Sequence, residues 1–316
     1  MTRSEATGLT RKQRNLLDET GAKSGNGVDE RIRRIGHRNM NDKAGPDHFL
    51  IRPRGGLRSI DVQELWHYRE VIFFLVWRDF KVRYRQTLLG VVWALIQPAL
   101  TVAIFALLFS RIAGVEAGGT AYPLFALAGF VPWAFFSFGV GAATGAMINN
   151  QDLVMRIYFP RLAIPIAAIF SGLTDMLIGL ALLAAAMVYY GQPVGPDLLL
   201  TPLFLLQGIA ATIGIGLMLS AANARFRDIG HAVPFALQVG LLATPIGYPT
   251  SAIPAQWLPV YSLNPMVGVI DGMRASLFDM PLNMESYLIS LGVTLVLLVV
   301  GTFYFHHVER NLADIL

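Results

Sequence analysis

The chain has 316 residues, of which 54% are hydrophobic and 15% are charged, and its formal net charge is +4 at pH 7. Its mean hydropathy is positive, at +0.51, so a water-soluble globule built from this chain would lack the polar surface to cover itself, and the composition predicts a protein embedded in lipid. The chain contains no cysteine, which excludes disulfides, thiolate metal sites and cysteine nucleophiles.

The N-terminal arm carries most of the positive charge, because 18 of the 25 Lys and Arg precede Gln86. Residues 1–48 are polar, with acidic residues interleaved among the basic ones, and they offer too little apolar area to fold alone. We expect a disordered cytoplasmic tail there that binds no nucleic acid, followed by a cytoplasmic segment over residues 49–85. No apolar run begins the chain as it would in a secretory signal, which also indicates a cytoplasmic start.

Residues 64–84 place apolar side chains at helical spacing, with charged residues at the flanks and a basic end. This pattern predicts an amphipathic helix in the inner membrane interface. Trp66 and Trp77 would lie at headgroup depth, and the basic end would turn into the membrane.

Six long uncharged or nearly uncharged intervals follow, at residues 86–110, 117–151, 162–196, 198–224, 229–270 and 286–308. Each can hold a span of about 20 residues, so we predict an all-α integral membrane protein with six transmembrane helices over residues 86–316. Lys and Arg concentrate in alternate flanking segments, which predicts that those segments and both termini are cytoplasmic. The protein is then a multi-pass protein of the inner (cytoplasmic) membrane. The Lys and Arg of these cytoplasmic flanking segments are Arg78, Lys81, Arg83, Arg85, Arg156, Arg161, Arg225, Arg227 and Arg310.

The fifth interval is long enough for two crossings but contains five prolines between Pro245 and Pro265. Prolines among polar residues would leave backbone groups unsatisfied in lipid. We therefore predict one span over about 231–244, followed by outer re-entrant segments over about 245–280. Such a segment either lines a water-filled path or is an ordinary outer loop.

A short segment of mixed polarity, residues 149–161, separates the second and third intervals and is closed by Pro160. A short helix there would offer apolar side chains ringed by charges, which suits docking on another protein. A plain connector is the alternative. The candidate docking residues are Asn149, Asp152, Leu153, Arg156, Ile157 and Tyr158.

Four blocks of sequence resemble the membrane subunit of ATP-binding-cassette polysaccharide exporters, the type 2 permeases that move lipid-linked O-antigen, capsule or teichoic-acid chains. The resemblance covers about residues 49–316, and the blocks occur in the order found in that family. They are RDFKVRYRQTLLGVVWALIQPALT, NNQDLVMRIYFPRLAIP, NARFRDIGHAVPFALQ and LNPMVGVIDGMR.

The resemblance implies a homodimeric six-helix permease that sits on two copies of a separate ATPase subunit. It implies a coupling helix at about 149–158, an amphipathic helix at about 64–84 and re-entrant segments at 245–280. The implied function is ATP-driven export of a polyprenyl-linked polysaccharide from the cytoplasmic to the outer face of the membrane. The chain itself would bind membrane lipid and glycan but no cofactor or metal, since ATP and Mg belong to the partner.

The sequence lacks the motifs of an enzyme. No G-x-x-x-x-G-K-[ST] occurs, and the fragment at residues 21–24 has the wrong spacing. A membrane-embedded glycosyltransferase would need clustered acidic residues in a sizeable soluble region, and a proton-coupled transporter would need more buried ionisable residues than Asp175, for which we expect a structural role. A type 2 permease for a small hydrophobic drug or lipid is the remaining alternative.

Aromatic side chains are the best candidates for contact with a glycan, because the C–H faces of sugars lie well on ring faces. The aromatic residues Trp133, Phe135 and Phe136 could also line a path, although anchoring in lipid is an alternative for any of these rings. The candidates for the substrate path are Trp93, Phe105, Phe109, Tyr248, Trp257 and Tyr261.

Overall fold

The computed structural model describes residues 66, 68–84, 91–112, 114, 118–156 and 160–309. This part of the chain is helical and contains no strand, which confirms the predicted all-α fold. The predicted tail over residues 1–48 and the first part of the segment 49–85 lie outside the described residues.

The helices follow one another in the order of the predicted spans. They are α1 (Arg69–Tyr84), α2 (Val91–Phe105, continued by a π-helix at Ala106–Ile112), α3 (Tyr122–Asn149), α4 (Gln151–Arg156), α5 (Ala163–Phe170), α6 (Leu173–Tyr189), α7 (Thr201–Arg225, preceded by a 3-10 helix at Pro196–Leu200), α8 (Ile229–Leu242), α9 (Leu258–Tyr261), α10 (Pro265–Phe278) and α11 (Met284–Glu309).

Five helical stretches are long and apolar enough to cross a membrane, which fits a multi-pass membrane protein. The fifth predicted span is present as α8, which has 14 residues and is therefore about 21 Å long, against about 30 Å for the hydrocarbon layer. A sixth crossing would need the residues after α8 to complete it, so the number six stays a prediction. The five stretches are Leu95–Ile112, Tyr122–Asn149, Ala163–Tyr189, Pro196–Arg225 and Met284–Glu309.

The second span, α3, forms the centre of the bundle. Within its most apolar window 78% of the residues are buried, whereas the corresponding value for the first span, Leu95–Ile112, is 11%. Helices α5, α6, α7, α8 and α10 all pack against α3. The first span is thus attached at one side only, and most of its apolar surface remains uncovered within one chain.

The bundle has two ends, which differ in which helices begin or finish there. We call the end where α3 and α11 finish the basic end, because Arg78 and Arg161 bind there to Asn150 and Glu309. At the opposite end α3, α7 and α11 begin.

The third span contains a tight turn at Ser171–Gly172, here called the break, at which both residues keep right-handed helical dihedral angles; this turn was not predicted from the sequence. Helix α5 ends at Phe170 and α6 begins at Leu173, with Ser171 and Gly172 in a turn between them. A Cβ on Gly172 would lie 2.5 Å from Cδ1 of Phe138 on α3, so only glycine permits this approach. The break therefore lies where the third span packs most closely on the ring of Phe138.

Helices α7 and α11 cross at two glycines. A Cβ added to Gly214 would lie 2.6 Å from the backbone of Leu297, and one added to Gly301 would overlap the carbonyl group of Gly214. Contact of backbone with backbone is the usual way in which small residues join helices in membranes. Gly214 and Gly301 therefore allow the backbones of α7 and α11 to touch.

Gly301→Val should destabilise the protein by at least about 2 kcal/mol, because the backbones of α7 and α11 cannot separate locally without losing their packing. Gly292→Val on the same helix is the matched control, since nothing lies within 4 Å of a Cβ there. Denaturant unfolding of both purified variants in detergent measures the difference. Equal stability of the two variants would contradict the crossing.

Candidate functional site

Four of the six aromatic residues predicted for a substrate path lie next to one another. The ring centroids of Phe105 and Phe109 are 5.4 Å apart, and those of Phe109 and Tyr248 are 6.3 Å apart. The hydroxyl of Tyr248 is 3.1 Å from that of Tyr261. These four residues, here called the aromatic string, run from the first span to α9.

The other aromatic candidates lie elsewhere. Trp257 is 58% exposed and lies in a 3-10 turn outside the string, and the side chain of Trp93 lies outside the described residues. Trp133, Phe135 and Phe136 are buried in the bundle, where a Cβ on Gly240 of α8 would meet the ring of Trp133 at 2.8 Å. These three rings pack the interior of one chain.

The first span contacts the broken part of the chain through one ring of the aromatic string, that of Phe109. Phe109 lies in the π-helix that continues α2, a helix type that is rare and often found at functional sites. Its ring rests on the backbone of Gly247, since a Cβ there would lie 2.7 Å from the ring. The rings thus contact one another and the backbone, while Phe109, Tyr248 and Tyr261 remain partly exposed.

The chain between α8 and α11, residues 243–283, is the predicted re-entrant region, and we call it the broken segment. It begins with bends and two 3-10 turns, but its later part is a regular helix, α10, which the sequence analysis did not predict. Asn264 caps α10 by accepting a hydrogen bond from the backbone N–H of Met266 at 3.0 Å, and Pro265 occupies the first turn, where its missing N–H costs nothing. Most side chains of α10 are buried.

Helix α10 is inserted among the first turns of three spans. A Cβ on Gly272 would overlap the ring of Phe204 on α7. The backbone N–H of Gly268 donates to Oγ of Ser290 on α11 at 3.1 Å. This helix therefore returns into the opposite end of the bundle, as expected of a re-entrant segment.

A buried arginine on α10, Arg274, anchors the broken segment. Its side chain is 2% exposed, and its Nη2 donates to the carbonyl of Ile246 at 2.8 Å and to that of Phe125 at 3.3 Å. The guanidinium also lies over the ring of Phe125, 3.4 Å from its centroid. One side chain thus joins α10, the start of α3 and the backbone just before Gly247.

Asp271 balances the charge of Arg274. Its Oδ1 is 4.0 Å from Nη1 of Arg274 and accepts a hydrogen bond from the hydroxyl of Thr250 at 2.8 Å. Neither residue was predicted from the sequence as part of a site. An acid and a base three residues apart on a helix, inside the apolar run VIDGMR, are the signal that predicts such a pair.

Side-chain donors also satisfy the carbonyl groups that the broken segment leaves without helical partners. Thr244 donates to Gly240 at 2.7 Å, Tyr248 to Leu242 at 3.0 Å, and Tyr122 to Gly247 at 2.7 Å. Irregular backbone at membrane depth is tolerated only when protein groups or water satisfy it. At these three carbonyls the broken segment meets that requirement with groups of the protein itself.

The predicted docking segment is present as the short helix α4, Gln151–Arg156. Asn149 and Asp152 are exposed, whereas Leu153 is half-buried against the cluster that contains Leu75 and Met147. Leu153 therefore supports the fold rather than being a free apolar contact. The side chain of Arg156, and Ile157 and Tyr158 entirely, lie outside the described residues.

Within the described part of the chain, no three His, Asp or Glu side chains come together as a metal site requires.

Residues 70–278, about two thirds of the chain, match the model of the ABC-2 type transporter family. This chain belongs to the ABC-2 type transporter family. The match includes α1 and ends with α10, so the broken segment up to Phe278 is part of the family's structure. An ABC-2 permease is a transport subunit, and membership implies a partner ATPase subunit.

This ABC-2 permease is similar to curated permeases over most of their length. It is 30% identical over 256 residues to the O-antigen export system permease protein RfbA of Myxococcus xanthus, covering 80% of this chain and 98% of that protein. It is 27% identical to a protein of the same name from Klebsiella pneumoniae, with 76% and 92% covered. The polysialic acid transport protein KpsM of Escherichia coli is 27% identical, with 69% and 82% covered.

Proposed function

We propose that this chain is the transmembrane subunit of an ATP-driven exporter that moves a polyprenyl-linked polysaccharide from the cytoplasmic to the outer face of the inner membrane. The observation that carries the proposal is the similarity to O-antigen export permeases along nearly their whole length. The further similarity to a polysialic acid transport protein supports a polymeric glycan over a small hydrophobic drug or single lipid as the substrate.

The chain is oriented with its basic end in the cytoplasm. Arg161, Arg225 and Arg227 flank the spans at that end, and the positive-inside rule places such short segments in the cytoplasm. Both termini are then cytoplasmic, since α1 and the end of α11 lie at the basic end. This orientation also puts α4 where a cytoplasmic ATPase can reach it, and the broken segment at the outer face.

Two copies of the permease assemble on two copies of the ATPase. The first span and α8 expose wide apolar surfaces, including Leu100 and Phe235, and each carries an exposed glutamine in its middle, Gln97 and Gln238. A glutamine amide that faces lipid is unfavourable, whereas one that faces protein or water can form hydrogen bonds. These surfaces therefore face the second copy or the path between the copies.

The path opens at the aromatic string. A polymer longer than the membrane is thick must pass step by step, so the path should hold it by several weak and repeatable contacts. In this structure the rings of Phe109 and Tyr248 contact each other. When the first span moves away from Gly247, their faces become available to the sugars.

Asp152→Lys should reduce the amount of ATPase that co-purifies with the permease by at least about fivefold, because reversing an exposed charge at an interface opposes the partner's complementary charges. Asp197→Lys is the matched control, since Asp197 is exposed in the 3-10 helix at the opposite end of the bundle. Affinity purification of each variant with its ATPase measures the ratio. Equal recovery of ATPase with both variants would contradict docking at α4.

Deletion of the gene should abolish the surface polysaccharide and leave glycan inside the cell, and the wild-type gene should restore export. A gene that carries both Phe109→Ala and Tyr248→Ala should restore about tenfold less surface polysaccharide than the wild-type gene does. Each lost ring removes roughly 0.5–1.5 kcal/mol of contact with the sugars. Quantified surface glycan in cells with equal amounts of each protein measures the effect.

Phe303→Ala is the control for this experiment. Phe303 is half exposed on α11 and lies outside the aromatic string, so its loss should leave export unchanged. Surface polysaccharide that is unaffected by the deletion would overturn the glycan assignment. An equal loss with Phe303→Ala would overturn the role of the aromatic string.

A further inference from the structure

The chain on both sides of Tyr248 is bound to the same helix, α10. Two residues before Tyr248, the carbonyl of Ile246 accepts a hydrogen bond from Nη2 of Arg274 at 2.8 Å. Two residues after it, the hydroxyl of Thr250 donates to Oδ1 of Asp271 at 2.8 Å. Asp271 and Arg274 are neighbours on α10, since residues three apart lie on one face of a helix. One turn of α10 therefore holds Tyr248 from two sides.

Helix α10 is a firm base for these two contacts. Near its start, the hydroxyl of Ser290 on α11 accepts from the backbone N–H of Gly268 at 3.1 Å and donates to the carbonyl of Pro265 at 2.8 Å. Near its end, the hydroxyl of Ser276 lies 2.9 Å from that of Thr201 on α7. All three hydroxyl side chains are buried. Contacts with two spans thus fix α10 near both of its ends.

The stretch that follows Tyr248 has no comparable support of its own. Its two 3-10 turns, Thr250–Ala252 and Ala255–Trp257, contain no buried residue. Within the described residues, the bond from Thr250 is the only hydrogen bond that joins residues 249–257 to a residue more than ten positions away. Its acceptor is a carboxylate, and hydrogen bonds to charged groups are stronger than those between neutral groups. Thr250 therefore determines where this stretch begins.

Tyr248 is the member of the aromatic string that connects the others. Its ring contacts Phe109 of the first span, and its hydroxyl donates to the carbonyl of Leu242 at 3.0 Å. Because a hydroxyl has one proton, the bond of 3.1 Å between the two tyrosine hydroxyls is donated by Tyr261. A change in the position of Tyr248 would therefore separate Phe109 from Tyr261.

We infer that the Asp271–Arg274 pair is a brace that fixes Tyr248 at two points, and that Thr250 and Asp271 are positioning residues for the glycan path. The inference rests on the proposed role of the aromatic string in export. Arg274 holds the backbone before Tyr248, and Asp271 holds the turn after it through Thr250. Asp271 thus has two tasks, to compensate the charge of Arg274 and to keep the ring of Tyr248 in line with the string.

Thr250→Val should lower surface polysaccharide about fivefold in cells with equal amounts of permease, because a methyl group cannot donate to Asp271. Thr250→Ser keeps the hydroxyl and should export within about twofold of wild type. The valine variant leaves the Asp271–Arg274 pair intact, so no buried charge loses its partner. Thr302→Val is the matched control, since the hydroxyl of Thr302 donates to the carbonyl of Leu298 in its own helix.

A double-mutant cycle separates positioning of Tyr248 from a general structural role. In a permease that already carries Tyr248→Ala, Thr250→Val should lower export by less than about 1.5-fold further, because the ring that Thr250 positions is absent. Two independent defects would instead multiply, and Thr250→Val would cost about fivefold in both backgrounds. That result would overturn the brace.

The order of the first 3-10 turn can be measured directly, because the chain contains no cysteine. Ser251 is exposed and follows Thr250 in this turn. A spin label on Ser251→Cys in the purified permease should become at least about twofold more mobile when Thr250→Val is added. A label on Asp197→Cys, in the 3-10 helix Pro196–Leu200, should not change.

Export by Thr250→Val within about twofold of wild type, or unchanged mobility of the label at position 251, would overturn the inference. An equal loss of export with Thr302→Val would overturn it too. If Thr250→Val fails to accumulate in the membrane, Thr250→Ala removes the same hydroxyl and decides by the same measurements. The mobility measurement requires no substrate, and wild-type complementation of the deletion strain tests the proposed function separately, so the two failures are distinguishable.

Discussion

A backbone group that leaves a helix inside a membrane must find a partner in the protein, and this constraint organises the structure. The helical path is interrupted in the broken segment after α8, and it makes a tight turn at Ser171–Gly172 through which the backbone hydrogen bonds continue. An arginine reaches each place: Arg83 from α1 contacts the side chain of Ser171, and Arg274 from α10, inside the broken segment itself, donates to the carbonyl of Ile246. An acidic partner accompanies each arginine, so charge is neutralised where the chain is irregular.

Arg83 on α1 contacts the turn at Ser171–Gly172, and Arg274 holds the backbone beside Gly247, on which the ring of Phe109 rests. An exporter driven by a separate ATPase must connect a cytoplasmic docking surface with an outer exit. Helix α1 contacts both Asn150 beside α4 and the third span, and the central helix α3 packs against α5, α6, α8 and α10.

The sequence predicted the elements better than it predicted their connections. Uncharged intervals and proline clusters located the apolar helices and the re-entrant region, because burial in lipid depends on composition over about 20 residues. They could not predict the break at Gly172, which depends on the distant ring of Phe138. Asp175 was expected to be structural, but its partner Arg83 lies 92 residues earlier in the chain. Arg274 lies three residues from Asp271 in an apolar run, which is a local signal of a buried pair, but the carbonyls of Phe125 and Ile246 that it binds are distant in the sequence.

ATP-dependent movement of a polyprenyl-linked glycan in a reconstituted membrane is the most direct test of the central claim. The purified permease and its ATPase would be placed in proteoliposomes with the lipid-linked glycan and ATP on the ATPase side, and a glycosidase on the other side would report the arrival of sugar. The account predicts glycan cleavage that requires ATP and both subunits. Movement of a fluorescent phospholipid or a hydrophobic drug under the same conditions, with no cleavage of the glycan, would contradict it.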